Sequence, residues 1–263
     1  MLSDLFTSLS TPLSPHLREL GYFDEALDMR RRARLNQAAW QPHLDNTRRF
    51  ILSTAEKCCT RDKVVLLGSG LLLDIPLDEF AAMFREVVLM DVVCLPAIRK
   101  RIARHSNCRF VEIDVTGTAE RLYQNQKHRI DELPRPESSL STVSDADLVV
   151  SLNILSQLWV VPRAFAGRRF PGLDPTKADE WCAELVKAHF MMLRSLASDV
   201  CLVADHECIK RDRGNAVISR ASTVFDLELP EPDEFWNWNI APISKENAHA
   251  SKELTVGTWH FRK

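Results

Sequence analysis

A chain of 263 residues with 45% apolar content can bury the core of one large α/β domain. Its formal net charge of −2 and isoelectric point near 6.5 lack the basic excess by which nucleic acids and anionic membranes are held, so neither is expected as the main partner. The sequence has no secretory-type start and no run of roughly eighteen apolar residues, which points to a cytoplasmic protein that does not span a membrane.

Residues 1–20, with Pro12 and Pro15 among Ser and Thr, read as an irregular arm. A first helix is expected over residues 24–39, and Pro42 opens a second over 43–58 with Leu44, Ile51, Ala55 and Cys58 on one face. At Val64-Val65-Leu66-Leu67 the pattern becomes continuously apolar, as in a parallel strand covered on both sides. A helix carrying Leu77, Phe80, Ala81 and Phe84 and a strand at residues 86–91 complete a βαβ unit. A helix with Leu95, Ile98 and Ile102, a third strand at 109–114 and a helix near 119–130 continue the alternation.

A polar connector at 133–147 precedes a fourth strand at 148–152. The segment 159–175, bearing Trp159, Arg163, Arg168 and Arg169, reads as a connection with two possible roles, a lid or anion clamp over a ligand or a solvated surface. A long helix with Trp181, Leu185, Ala188, Met192 and Leu196 leads to strand five at 200–204. Alternation around Trp236, Trp238 and Ile240 and around Leu254, Val256 and Thr258 gives a terminal antiparallel pair; Trp236, Trp238 and Trp259 read as the lining of an aromatic pocket or, more plainly, as the apolar seam of this hairpin. Seven cysteines, none in C-x-x-C spacing, read as reduced and mostly buried thiols. The eight histidines show no H-E-x-x-H or similar spacing, so no metal site is expected.

Chemistry concentrates at strand, Gly68-Ser69-Gly70, helix: the arrangement that brings backbone close to a nucleotide at the carboxyl edge of a parallel sheet. Asp91, at the end of strand two, stands where a carboxylate accepts hydrogen bonds from both ribose hydroxyls of an adenine nucleoside. The dinucleotide fingerprint would place its last glycine at position 73, where this chain has Leu73; NAD is therefore disfavoured, and S-adenosylmethionine, which has no phosphate, is preferred.

These segments resemble the class I S-adenosylmethionine-dependent methyltransferases. The similarity runs from Leu66-Leu67-Gly68-Ser69-Gly70 through Leu89-Met90-Asp91 and Val111-Glu112-Ile113-Asp114 to Asp147-Leu148-Val149-Val150-Ser151-Leu152-Asn153. It departs at Leu66 and Leu72, where the family usually has an acidic residue and a third glycine, and residues 68–76 are similar to the turn of an atypical bacterial branch. The resemblance implies a doubly wound Rossmann-like sheet over 61–263, a helical extension over 1–60 covering the pocket and a C-terminal antiparallel hairpin. It also implies that Gly68, Ser69, Gly70, Asp91, Asp114 and Asn153 bind S-adenosylmethionine. Asp74 has two readings, contact with the ligand's amino group or N-cap of the next helix.

Methyl transfer from a sulfonium needs positioning and water exclusion more than a dedicated base. Where a base is required, His206 with Asp205 beside it is the candidate, in a stretch after strand five whose plainer reading is a solvated loop or a hydrogen-bonded strand end. Trp40, His43 and Trp159 are the expected substrate contacts, with core packing as the plainer reading of Trp40. The expected activity is methyl transfer to a small molecule; the alternatives are transfer of the aminocarboxypropyl group, as in nicotianamine synthase-like proteins, and nucleoside binding without catalysis.

Overall fold

Strands form where the chain turns continuously apolar. The computed structural model describes residues 7–137, 143, 145–244 and 249–263. Its strands are β1 (Lys63–Leu67), β2 (Glu86–Asp91), β3 (Cys108–Glu112), β4 (Leu148–Leu152), β5 (Asp199–Asp212), β6 (Val217–Ser222), β7 (Glu234–Ala241) and β8 (Ala250–Phe261). They form a sheet of order β3-β2-β1-β4-β5-β8-β7, parallel from β3 to β5 and antiparallel beyond, with β6 paired to the far end of β5. This is the doubly wound, Rossmann-like sheet with a C-terminal antiparallel hairpin that the sequence implied. The strand order reverses between β1 and β4, and at such a point a crevice opens outside the strand carboxyl ends.

Successive side chains of a strand point to opposite faces, so each buried strand supplies two cores. Val64, Leu66, Val87, Leu89, Val150 and Val203 face one core, which is closed by Phe50 and Ile51 of α3 (Gln37–Lys57), Phe80 of α4 (Leu77–Met83) and Ile98 of α5 (Pro96–Ile102). Val65, Leu67, Val88, Met90, Val149 and Leu202 face the other, closed by Val186, Phe190 and Leu193 of α8 (Pro175–Ser195). A third cluster joins Leu17 and Leu20 of α1 (Pro15–Leu20) to Leu122 of α6 (Ala119–His128) and Phe165 of α7 (Val160–Arg169). Between α1 on one side of the sheet and α3 on the other, α2 (Tyr22–Leu35) bridges the carboxyl edge. Among the described residues no helix is long and apolar enough to cross a membrane.

Several local expectations are corrected. Part of the supposed N-terminal arm is α1, whose N1 proline and buried leucines make a short helix; residues 1–6 of the arm lie outside the described residues, as do 138–142 and 144 of the connector. Pro42 does not open a helix but sits inside α3. An interior proline costs about 3 kcal/mol, and here Trp40 and His43 flank it, both buried against β7. The 159–175 connection contains α7, whose Phe165 and Ala166 are core residues. Its Arg163 pairs with Asp179 and its Arg169 with Glu19, so these guanidinium groups serve surface ion pairs.

Strand five runs on to Asp212, which puts Asp205, His206 and Glu207 inside a strand rather than after one. The extension was not legible because β6, fully exposed, carries no hydrophobic alternation and gains its place by pairing alone. The three tryptophans do not form one seam. Trp236 and Trp238 share the α3 face with Leu254 and Val256, whereas Trp259, at the odd register of β8, faces the second core.

Gly257 lies under Trp259: a Cβ there would sit 2.5 Å from the indole ring. Gly257→Ala is expected to lower stability by ~1–3 kcal/mol through overpacking. Urea denaturation should show a lower midpoint at unchanged slope, and an unchanged midpoint would contradict this account of the close approach.

Candidate functional site

The turn after β1 is tied to β2 by its own amides. Gly68 and Ser69 both donate to the Met90 carbonyl, at 2.9 and 3.2 Å, and Gly70 donates to Asp91 Oδ2 at 2.6 Å. Gly68 has φ +80°, and a Cβ would lie 2.2 Å from Ile154 Cγ2 and 2.7 Å from the Leu152 carbonyl, so this glycine is demanded by contact with the end of β4. Leu72, at the position where the family pattern has glycine, keeps left-handed backbone with φ 54° and a buried side chain. That conformation costs a non-glycine residue ~1–2 kcal/mol, an amount comparable with the ~1.5–3 kcal/mol from burying a leucine.

Asp91 closes the turn. Its Oδ1 accepts from the Val92 and Val93 amides at 2.7 and 3.4 Å. Burial raises its pKa, against which the three amide bonds favour the charged form. A carboxylate offers about four acceptor positions, so a ligand hydroxyl can still be received. Tyr22 of α2 lies beside it; burial, then the charges of Asp114 and Asp91, push its phenol well above the usual range and keep it neutral. Sequence reasoning missed Tyr22, because a lone tyrosine after Gly21 carries no pattern.

These residues line a cleft of about 260 Å³ at the switch point, walled on one side by the helical preface to the sheet, α2 and α3, and on the other by Asn153, Ile154 and Gln157. Trp40, His43, Gly68, Ser69, Gly70, Asp74, Asp91 and Asn153 all contribute to its lining. Asp74 is not the cap of α4, whose N-cap is Pro76 with no side-chain bond. Instead Asp74 Oδ2 accepts from Asn153 Nδ2 at 2.7 Å. Burial raises the Asp74 pKa, opposed by the Asn153 bond and the Arg48 charge. Asn153 itself has φ 51°, and its Oδ1 is buried with no hydrogen-bond partner among the described residues.

His43 is 1% exposed and lies flat on Trp238, with centroids 3.9 Å apart and planes 4° from parallel. Its Nδ1 accepts from Trp236 Nε1 at 3.1 Å, and burial holds its pKa down to about 3. Trp40 donates to the Ile240 carbonyl at 3.0 Å and meets Trp238 edge-on at 5.1 Å. The preface is therefore clasped to β7 by side chains that also face the cleft.

Four expected residues lie outside that lining. The Asp114 carboxylate turns back to the start of α6, accepting from the amides of Thr116, Thr118 and Ala119 at 2.9, 2.9 and 2.7 Å. Trp159 packs edge-on against Phe225 at 5.4 Å. Asp205, 1% exposed, accepts from Ser156 Oγ at 2.6 Å and anchors the loop after β4. His206 falls at the register shift between Asp205 and Glu207, and this bulge directs it to a separate hollow with Pro230 and Trp259. Among the described residues no three His, Cys, Asp or Glu side chains converge as a metal-binding set.

No family model matches the chain. A curated relative, tyrosyl-DNA phosphodiesterase 2 of Xenopus laevis, is 24% identical over 133 residues, which span 50% of this chain and 34% of that protein. Among solved structures the chain is similar to the Burkholderia thailandensis 1,6-didemethyltoxoflavin-N1-methyltransferase bound to 1,6-didemethyltoxoflavin and S-adenosylhomocysteine. The TM-score is 0.42, at 14% identity, over 96% of this chain and 92% of that one. It is also similar to the DhpI–SAM–HEP complex, with TM-score 0.37 at 13% identity over 93% and 99% of the two chains. Likenesses this remote do not bear on activity.

Two buried neutral histidines make stability depend on pH. His43, held down to about 3, and His189, held down to about 4 by burial, take up protons near 6.5 when unfolded. The unfolded chain then binds more protons than the folded one, so stability present above pH 6.5 is lost as pH falls toward 4, at about 1.4 kcal/mol per tenfold difference in proton affinity. The raised Asp74, Asp91 and Asp205 act in the opposite direction, because the folded chain is the one that takes up their protons. A His43→Gln/His189→Gln variant should therefore lose less Tm than wild type between pH 6.5 and 4.5; equal losses would show that these rings do not carry the effect.

Proposed function

We propose that the cleft binds S-adenosylmethionine and that the protein transfers its methyl group to a small-molecule acceptor. The observation that carries this reading is the accounting of the glycine turn. The amides of Gly68, Ser69 and Gly70, which a dinucleotide site would offer to pyrophosphate, are already engaged by Met90 and Asp91. Prominent among the groups left facing the cleft are acceptors: the carboxylates of Asp91 and Asp74 and the amide oxygen of Asn153. Such a site suits a ligand rich in donors, with a ribose diol at one end and an ammonium at the other, and is poor for phosphate.

When bound, S-adenosylmethionine supplies a methyl group activated by the adjacent sulfonium. In this reading Asp91 receives the ribose hydroxyls, and Tyr22 and Met29 of α2 roof the cleft. The apolar walls from Trp40, Leu158 and Val161 exclude water around the transferring group. Rate comes from holding the acceptor in line and dry. His206 and Asp205, the candidate base and its neighbour, do not line this cleft; an acceptor bearing its own lone pair, a ring nitrogen or a phenolate, fits it best.

Calorimetry with S-adenosylhomocysteine should show saturable binding, reduced at least tenfold, or about 1.4 kcal/mol, in Asp91→Asn, whose fold is checked by circular dichroism. Absence of binding by the wild-type protein, or binding of NADH in its place, would defeat the proposal. With an acceptor pool, S-adenosylhomocysteine is the expected product; methylthioadenosine would mean aminocarboxypropyl transfer instead.

A further inference from the structure

One polar group in the cleft is held in a state that calls for a ligand. An indole N–H can only donate, so Trp236 Nε1, 3.1 Å from His43 Nδ1, requires a lone pair on that nitrogen. The imidazole is buried, is stacked on Trp238 and has no carboxylate at hydrogen-bonding distance among the described residues. A neutral ring with a lone pair on Nδ1 carries its proton on Nε2.

That N–H meets the wrong partner. Its neighbour, at 3.4 Å, is Asn153 Nδ2, itself a donor committed to Asp74 Oδ2 at 2.7 Å. Turning the Asn153 amide around would satisfy His43 but, with Asp74 ionised as it is when an ammonium is bound beside it, would set an amide oxygen against the carboxylate at 2.7 Å, replacing a long donor–donor contact with a short acceptor–acceptor one. The protein side of the cleft therefore leaves a buried donor, His43 Nε2–H, beside a buried acceptor, Asn153 Oδ1, neither with a partner among the described residues. Leaving such groups unpaired forfeits their hydration with nothing in return, and in native proteins unpaired groups of this kind have a reason.

The complementary ligand group carries a donor and an acceptor side by side with opposite charges. Asp74 and Asn153 Oδ1 supply acceptors for an ammonium, and His43 supplies a donor for a carboxylate. We infer that His43 is a tautomer-locked hydrogen-bond donor that positions the α-carboxylate of a bound amino-acid moiety, whose ammonium is received by Asp74 and Asn153. This rests on the S-adenosyl reading above and adds to it a residue of the helical preface, fixed by a tryptophan of the C-terminal hairpin. It also gives His43 a positioning role and takes it out of consideration as a base, since its one lone pair is occupied by Trp236.

Two measurements on the full chain test it. In two-bond ¹H–¹⁵N spectra the His43 ring should show the Nε2–H pattern, and Trp236→Phe should convert it to a mixture of tautomers; an Nδ1–H or doubly protonated ring in the wild type would overturn the inference. In calorimetry, His43→Ala should weaken S-adenosylhomocysteine about tenfold more than it weakens methylthioadenosine, which lacks the amino-acid end. His43→Gln, which restores an N–H at similar reach, should recover part of that loss. Equal weakening of both ligands would mean general damage to the cleft, and no weakening of either would mean that the donor serves something else; both results overturn the inference and leave S-adenosyl binding standing. A wild-type protein that binds neither ligand overturns both.

Discussion

The clasp between α3 and β7 is the contact on which the site depends. His43 lies flat on Trp238 and accepts from Trp236, while Trp40 bonds the Ile240 carbonyl and meets Trp238 edge-on. Aromatic area and two indole hydrogen bonds are combined in one interface, which is how buried tryptophans are usually accommodated. The contact joins residues 193 positions apart. It sets the preface across the carboxyl edge of the sheet, and without it the cleft would have a floor but only one wall. It also explains how α3 tolerates Pro42: the local loss falls between two residues whose burial fixes the helix on both sides.

Inside the cleft the polar groups divide into those that build the turn and those left over. The three glycine-turn amides are satisfied by Met90 and Asp91, and Asp114, which the family resemblance counted among the S-adenosylmethionine contacts, is satisfied by the first turn of α6. What remains is acceptor-rich, with Asp74, Asp91 and Asn153 in partly or wholly dry surroundings. Unpaired buried acceptors attract donors strongly because water is not there to compete. The proposed preference for a nucleoside carrying hydroxyl and ammonium groups rests on that balance, and so does the expected disfavour toward phosphates.

The extension of β5 redistributes the residues at the far edge. Because β8 accompanies β5 along its whole length, β6 continues the side that β4 leaves free, and the strand end becomes a covered ribbon rather than an open loop. The bulge at His206 sends that ring away from the cleft, while Asp205 turns inward and holds Ser156. A carboxylate 1% exposed and hydrogen-bonded to the loop that carries Asn153 acts as a brace for the cleft wall.

Local patterns decided much of this protein. The continuous apolar runs of β1, β2, β4 and the first part of β5 dictate strands covered on both faces, and the strand–glycine–helix succession with Asp91 at the next strand end locates the crevice, because these signals act over a few residues. The rest required contacts between distant segments. The exposed sequence of β6 has no periodic signal, and the length of β5 follows from its partners. Pro42 stays helical only because of β7, and Leu72 keeps a glycine-like backbone only because the core receives its side chain. Tyr22, Trp238 and the locked tautomer of His43 are likewise products of packing. The sequence determined where the turn and its carboxylate stand; the tertiary structure decided which polar groups remain unpaired in the cleft, because partners for buried groups are chosen across the whole fold.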